Sequence, residues 1–125
     1  MDVRVKRAYE PPAKSDGVRI LVDHLWPRGV RKDVAEIEEW MRDLSPSTAL
    51  RTWFQHDPEK WQEFKKRYFE ELKGKPEKVA RLAERANGGA VTLVYATKET
   101  RYNNAIALKE YLEKSTKGRP GIAAS

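Results

Sequence analysis

Val18-Arg19-Ile20-Leu21-Val22, running straight into Asp23-His24-Leu25-Trp26-Pro27-Arg28-Gly29-Val30-Arg31-Lys32, is the stretch on which the reading of the fold turns. A compact apolar run closed by an acid fits a strand covered on both faces, the habit of parallel sheets. The segment after it holds an acid, an imidazole, an indole and three cations, hinged on Pro27 and Gly29. Such a loop at the end of a buried strand reads as a site rather than a plain connection.

Outward from this stretch, Ala90-Val91-Thr92-Leu93-Val94-Tyr95-Ala96 is the second buried strand. Val3-Arg4-Val5-Lys6 alternates apolar and basic residues as a short, half-exposed strand does. Pro11-Pro12 and Ser15-Asp16-Gly17 make Tyr9 to Gly17 a loop. Ser47 caps a short helix whose face is Leu50, Trp53 and Phe54. Asp57-Pro58 opens the clearest helix, with Trp61, Phe64, Tyr68 and Leu72 inward and Gly74 at its end. Pro76 starts another, with Val79, Leu82, Ala83 and Ala86 inward, ended by Asn87-Gly88-Gly89. A last helix from about Asn103 to Lys114 presents Ala105, Leu108, Tyr111 and Leu112. Residues 36–41 fit either a helix or an edge strand. The alternation of strand and helix is the rhythm of an α/β layer fold. The expectation is one α/β domain over residues 1–114, a small, mostly parallel sheet flanked by helices on both faces. Residues 115–125, with Gly118, Pro120 and Gly121, read as a flexible tail.

At 125 residues the chain is long enough for one core. It has no cysteine, which excludes disulfides, thiolate nucleophiles and zinc-thiolate sites. No apolar run reaches the length of a membrane span and Met1-Asp2-Val3-Arg4 does not begin a signal peptide, so a cytoplasmic protein without a membrane partner is expected. The formal net charge of +6 favours anionic partners. It is unevenly spread, since residues 1–32 carry 8 basic and 4 acidic side chains while residues 33–60 carry 3 and 7.

In open parallel sheets, ligands lie outside the carboxyl ends of the strands, near a switch in strand order. If the two buried strands run parallel, Asp23, Arg28, Arg31 and Lys32 from the first loop meet Tyr95, Lys98, Arg101, Asn103 and Asn104 from the second. Cations, amides and a hydroxyl around one carboxylate make a place for a phosphate or carboxylate group. The leading reading is therefore an anion-binding domain for a nucleotide, a nucleic acid or a phosphorylated metabolite, in which Trp26 or Tyr95 could stack a base. An alternative is a small enzyme acting on a phosphorylated or carboxylated metabolite, with Asp23 as general base and Arg28 and Lys98 stabilising developing charge. A third is a protein-interaction domain built on the acidic 33–43 segment and the basic face.

Each of these residues also has a plainer use. Asp23 can hold the loop backbone, Arg28 can pair with Asp23 or with the Glu36-Ile37-Glu38-Glu39 block, and Trp26 can pack inward. Asn103 and Asn104 can cap the last helix, and Ser45 and Ser47 read as a turn and a cap. His24 and His56, each beside an aspartate, do not make a metal spacing, and neither a P-loop nor a dinucleotide fingerprint occurs. No metal and no cofactor is expected, and substrate, reaction and oligomeric state stay open.

Several motifs then follow one another in a familiar order: Asp23-x-Leu25-Trp26-Pro27-Arg28-Gly29, Trp40, Ser45-Pro46-Ser47 with Leu50-Arg51, Trp61-x-x-Phe64-x-x-x-Tyr68-x-x-Glu71-Leu72, and Thr92-Leu93-Val94-Tyr95-Ala96-x-Lys98. In these the chain resembles the YeaO-like family of small bacterial and archaeal proteins, over roughly residues 3–114. The resemblance implies a family of unknown function and brings no catalytic residue with it. Two places depart from the family's habit, which has Arg where this chain has His24, and Asn-His-Ala where it has Asn103-Asn104-Ala105. A mechanism that needs a histidine at the second place cannot hold for this chain.

Overall fold

The computed structural model of the chain describes residues 1–117. Among these residues, β1 (Val3–Arg7), β2 (Val18–Leu21), β3 (Glu39–Trp40) and β4 (Val91–Tyr95) form one parallel sheet in the order β1-β4-β2-β3. β4 lies between two neighbours, with Val91 beside both Val3 and Val18, and its residues are all buried. A strand enclosed this way has no solvent side, which is why its sequence runs apolar without alternation. Edge strand β1 alternates instead. Residues 36–41 resolve as the other edge: Glu38 N–H donates to the Arg19 carbonyl and Met41 N–H to that of Leu21, both at 2.9 Å.

The connections contain α1 (Lys32–Ala35), α2 (Thr48–Phe54), α3 (Trp61–Lys73), α4 (Pro76–Asn87) and α5 (Asn104–Lys117). Their starts follow local capping chemistry. Ser47 Oγ accepts from Leu50 N–H at 3.2 Å, and Asp57 Oδ1 accepts from Glu59 N–H at 3.0 Å to open a 3-10 turn that leads into α3. Asn103 Oδ1 accepts from Ile106 N–H at 3.0 Å. Helix α5 runs through Lys117, so residues 115–117 continue it, and the rest of the expected tail lies outside the described residues. The one-turn α1 was not foreseen. It is stopped by Glu36 in the left-handed conformation, with φ of 51°.

The two faces of the sheet are covered unequally. On one, Val3, Ile20, Val22, Val91, Leu93 and Tyr95 join residues of α2 to α5, such as Leu50, Phe64, Tyr68, Leu82 and Leu108, in the main core. On the other, Ala8, Leu21 and Val94 sit under Trp26, Val30, Ile37 and Trp40, and the helical cover there is α1 and a 3-10 turn at Lys14–Asp16. No helix among the described residues is long and apolar enough to cross a membrane.

This second face also holds a buried ionic cluster. Arg19 Nη1 lies 2.7 Å from Asp16 Oδ2, and Lys6 Nζ lies 3.1 Å from both Asp16 oxygens. Arg19 Nε donates to the Ala35 carbonyl at 3.0 Å, and Ala13 N–H donates to Asp16 Oδ2 at the same distance. The arginine inside an apolar strand is thus tolerated because the Asp16 carboxylate and the Ala35 carbonyl meet its guanidinium. Gly17 lets the loop approach: its φ is 65°, and a Cβ there would stand 2.2 Å from the Ala90 carbonyl oxygen.

Candidate functional site

After β2 the chain goes on to edge strand β3, whereas after β4 it turns into α5, which packs toward β1. The connections therefore diverge between β2 and β4, the place where doubly connected parallel sheets open a crevice. A cleft of about 690 Å³ lies there, at the carboxyl ends of the strands. Its walls are Asp23 to Arg28, then Arg51, Phe54 and His56 from α2 and its exit, and Ala96, Thr97 and Asn104 beyond β4.

Asp23 is the joint of this cleft. Its Oδ2 accepts from Ala96 N–H at 2.9 Å, and its Oδ1 accepts from Asn104 Nδ2 at 3.1 Å, which also donates to the Val22 carbonyl at 3.0 Å. One carboxylate thereby clips the end of β2 to the exit of β4 and the start of α5. Desolvation pushes the Asp23 pKa above the ordinary 3.8, outweighing the pull of the Ala96 and Asn104 bonds and of the His56 and Arg51 charges.

The rest of the loop is held from below by its own second-face packing. Trp40 Nε1 donates to the Asp23 carbonyl at 2.7 Å, Arg42 Nε to that of His24 at 2.9 Å, and Trp26 Nε1 to that of Val30 at 2.7 Å. Trp26 and Trp40 meet edge to face, with centroids 5.8 Å apart. Trp26 is therefore packing as well as wall, as its plainer reading had it. Tyr9 Oη donates to the Arg28 carbonyl at 2.8 Å, which steadies the turn made by Gly29 at φ 79°.

The opposite wall carries positive charge. Arg51 is anchored by Nε to the Pro46 carbonyl at 3.1 Å and by Nη2 to Thr48 Oγ1 at 2.9 Å. His56 follows Gln55, and both are left-handed, with φ of 56° and 46°. Neither is glycine, so the turn is strained, and such strain persists where surrounding contacts hold it. Here the hold is His56 Nδ1, 2.9 Å from the Tyr102 carbonyl. A carbonyl only accepts, so Nδ1 carries a proton in this bond. Desolvation, then the charges of Arg51 and Arg42, lower the His24 pKa below 6.5, as expected where the local potential is positive.

Of the residues chosen from the sequence, Asp23, Arg28 and Asn104 line the cleft. The others do not join them. Arg31 pairs with Asp33 at 2.6 Å on the surface, Lys32 Nζ stands over the Trp26 ring at 5.6 Å, and the Arg101 guanidinium over Tyr102 at 5.3 Å. Asn103 is fully buried as the cap of α5, with Nδ2 donating to the Glu99 carbonyl at 2.8 Å. Tyr95 is buried in the main core, and Lys98 is exposed outside the cleft walls. Arg51 and His56 are two wall residues that the sequence reading did not select. Arg51 follows buried Leu50 and precedes buried Phe54 by three, the flank of a helical apolar stripe, and that spacing was the available signal. No group of three or more His, Asp or Glu side chains among the described residues is placed to hold a metal ion.

A family model described as "Inactive DUF488-N3 subclade" matches residues 2–124. The chain is 39% identical over 112 residues to "Uncharacterized protein YeaO" of Escherichia coli (strain K12), a match covering 90% of this chain and 97% of that one. It is 41% identical over 110 residues to "Uncharacterized protein Rv3073c" of Mycobacterium tuberculosis (strain ATCC 25618 / H37Rv), covering 88% of this chain and 92% of that one. No solved structure matches. The chain belongs to the YeaO-like family of unknown function, in the subclade described as inactive.

Proposed function

We propose that the chain is a binding domain for a small anionic molecule, a nucleotide or a phosphorylated or carboxylated metabolite, seated in the cleft between β2 and β4. One observation carries the reading. Arg28 and Arg51 line the same concave, partly apolar crevice, and among the described residues neither pairs with a carboxylate, as Arg31, Arg67, Arg81 and Arg85 do, nor stands over an aromatic ring, as Arg7, Arg42 and Arg101 do. Guanidinium groups left uncompensated in a concave site are suited to phosphate and carboxylate. The family's description as inactive supports binding over turnover. An extended nucleic-acid surface has less support, because Arg31, Lys32 and Arg101 are engaged with neighbouring side chains and Trp26 and Tyr95 are packed rather than presented. Turnover of such a ligand with Asp23 as general base is favoured by one feature, the raised pKa of that carboxyl.

The test is shift mapping by NMR on the isotope-labelled chain at low salt, with inorganic phosphate and adenosine monophosphate as probes. The expected result is saturable shifts in the segments 23–28, 51–56 and 96–104, and an affinity about ten-fold weaker in Arg51→Gln. Shifts scattered over the surface, or none with either probe, would overturn the reading. So would saturable shifts indifferent to Arg51.

A further inference from the structure

Opposite charges that share a crevice normally find each other. Elsewhere in this molecule they do: Lys6 and Arg19 meet Asp16, Lys65 meets Glu110, and Arg85 meets both Glu38 and Glu39. In the cleft they are kept apart. Asp23 is tied down by Ala96 N–H and Asn104, and Arg51 by the Pro46 carbonyl and Thr48. Arg28 extends from a turn whose backbone is fixed by Tyr9. Among the described residues no ion pair joins Asp23 to either arginine, although all three line the same walls.

These anchors matter because each fixes a charge at one edge and leaves the rest of its bonding capacity unused. A carboxylate has about four acceptor positions, and two are occupied at Asp23. The Arg51 anchors use Nε and Nη2, leaving the other guanidinium N–H groups to a ligand. Among the described residues lining this cleft Asp23 is also the one acid, with two arginines and two histidines on the same walls. A ligand bearing only an acid would satisfy the arginines and lie beside an unpaired, half-buried carboxylate, which is unfavourable. A ligand bearing an acid at one end and a cationic N–H donor at the other would satisfy both sides at once.

We propose that the cleft takes a small zwitterion, a phosphorylated or carboxylated amine whose acid group lies on Arg51 and Arg28 and whose ammonium group donates to Asp23. Phe54, Phe64 and Pro27 supply apolar wall for the carbon skeleton between the two ends. The proposal rests on the anion-binding reading of the same cleft and adds the second charge.

Calorimetric titration of the native chain with ethyl phosphate and with aminoethyl phosphate, at neutral pH and low salt, separates the two claims. The probes share the phosphate and differ in the amine. The expected result is that aminoethyl phosphate binds about ten-fold tighter or more, as a charge-assisted hydrogen bond gives. In Asp23→Asn that preference disappears and ethyl phosphate binds more tightly than to the native chain, since a like charge has gone. Equal affinity, or tighter binding of ethyl phosphate to the native chain, overturns the zwitterion while the anion reading stands. If neither probe binds, both fall. The native comparison alone decides, so the outcome does not depend on how well the variant folds.

Discussion

Asp16 and Asp23 stand just before and just after β2, and the fold treats them in opposite ways. At Asp16 burial works to raise the pKa, but the Ala13 N–H, Lys6 and Arg19 outweigh it and hold the carboxyl below 3.8. At Asp23 burial prevails, and the pKa lies above 3.8. The first aspartate is where the second face of the sheet closes, with two cations in contact. The second is where the sheet opens, with two arginines on the same walls and neither in contact. The lesson is that an ion cluster which completes itself is architecture, whereas charges held apart by their own anchors are the premise of the ligand site proposed above.

The widest way to break this contrast is Asp16→Asn. It leaves Arg19, which is 4% exposed, without its anion, and the expected loss is about 3–5 kcal/mol. In a thermal melt near neutral pH that is a fall of roughly 10–20 °C. Because the folded pKa of Asp16 is lowered, its contribution is fully present above the unfolded value of about 3.8 and is lost as pH falls through the folded value. The gap between native chain and variant should therefore be widest near neutral pH and narrow in acid. A gap under about 1 kcal/mol at neutral pH would mean that the cluster is not the closed unit described.

Two glycines sharpen the same contrast at smaller scale. Gly17, in the closed region, has positive φ and a Cβ position 2.2 Å from backbone oxygen. Gly17→Ala should cost about 2–4 kcal/mol in denaturant unfolding, since both backbone strain and overlap must be relieved. Gly29, in the open loop, has similar φ but, among the described residues, nothing within 4 Å of its Cβ position. Gly29→Ala should cost only the left-handed strain, about 1 kcal/mol. Equal costs at the two positions would remove the distinction between a packed joint and an open rim.

Much of this was legible in the sequence where the cause is local. The apolar run of β4, the caps Ser47 and Asn103, and the Gly74 stop are decided within a few residues and stand as read, while Asp57 caps a 3-10 turn ahead of α3 rather than α3 itself. What was not legible depends on partners brought from afar. The ionic cluster on the second face is one such case, since the Ala35 carbonyl reaches Arg19 and Lys6 reaches Asp16 only through the fold. Edge strand β3 is two residues long, and one turn of helix precedes it, too little pattern for either to announce itself. Within the candidate site, strand parity would have removed one residue: Tyr95 shares its side of β4 with Val91 and Leu93, and that side faces the main core. Spacing puts Arg51 on the flank of the α2 stripe, but that the exit of α2 meets the β4–α5 connection, where His56 Nδ1 lies 2.9 Å from the Tyr102 carbonyl, is decided only by the fold.

The contrast between the two aspartates is tested most directly by following the side-chain carboxyl signals of Asp16 and Asp23 by NMR while the isotope-labelled chain is titrated with acid. The account predicts that Asp16 titrates below 3.8 and Asp23 above it. Asp23 titrating at or below 3.8 would mean that its charge is already met within the fold, and the open half of the comparison would fail.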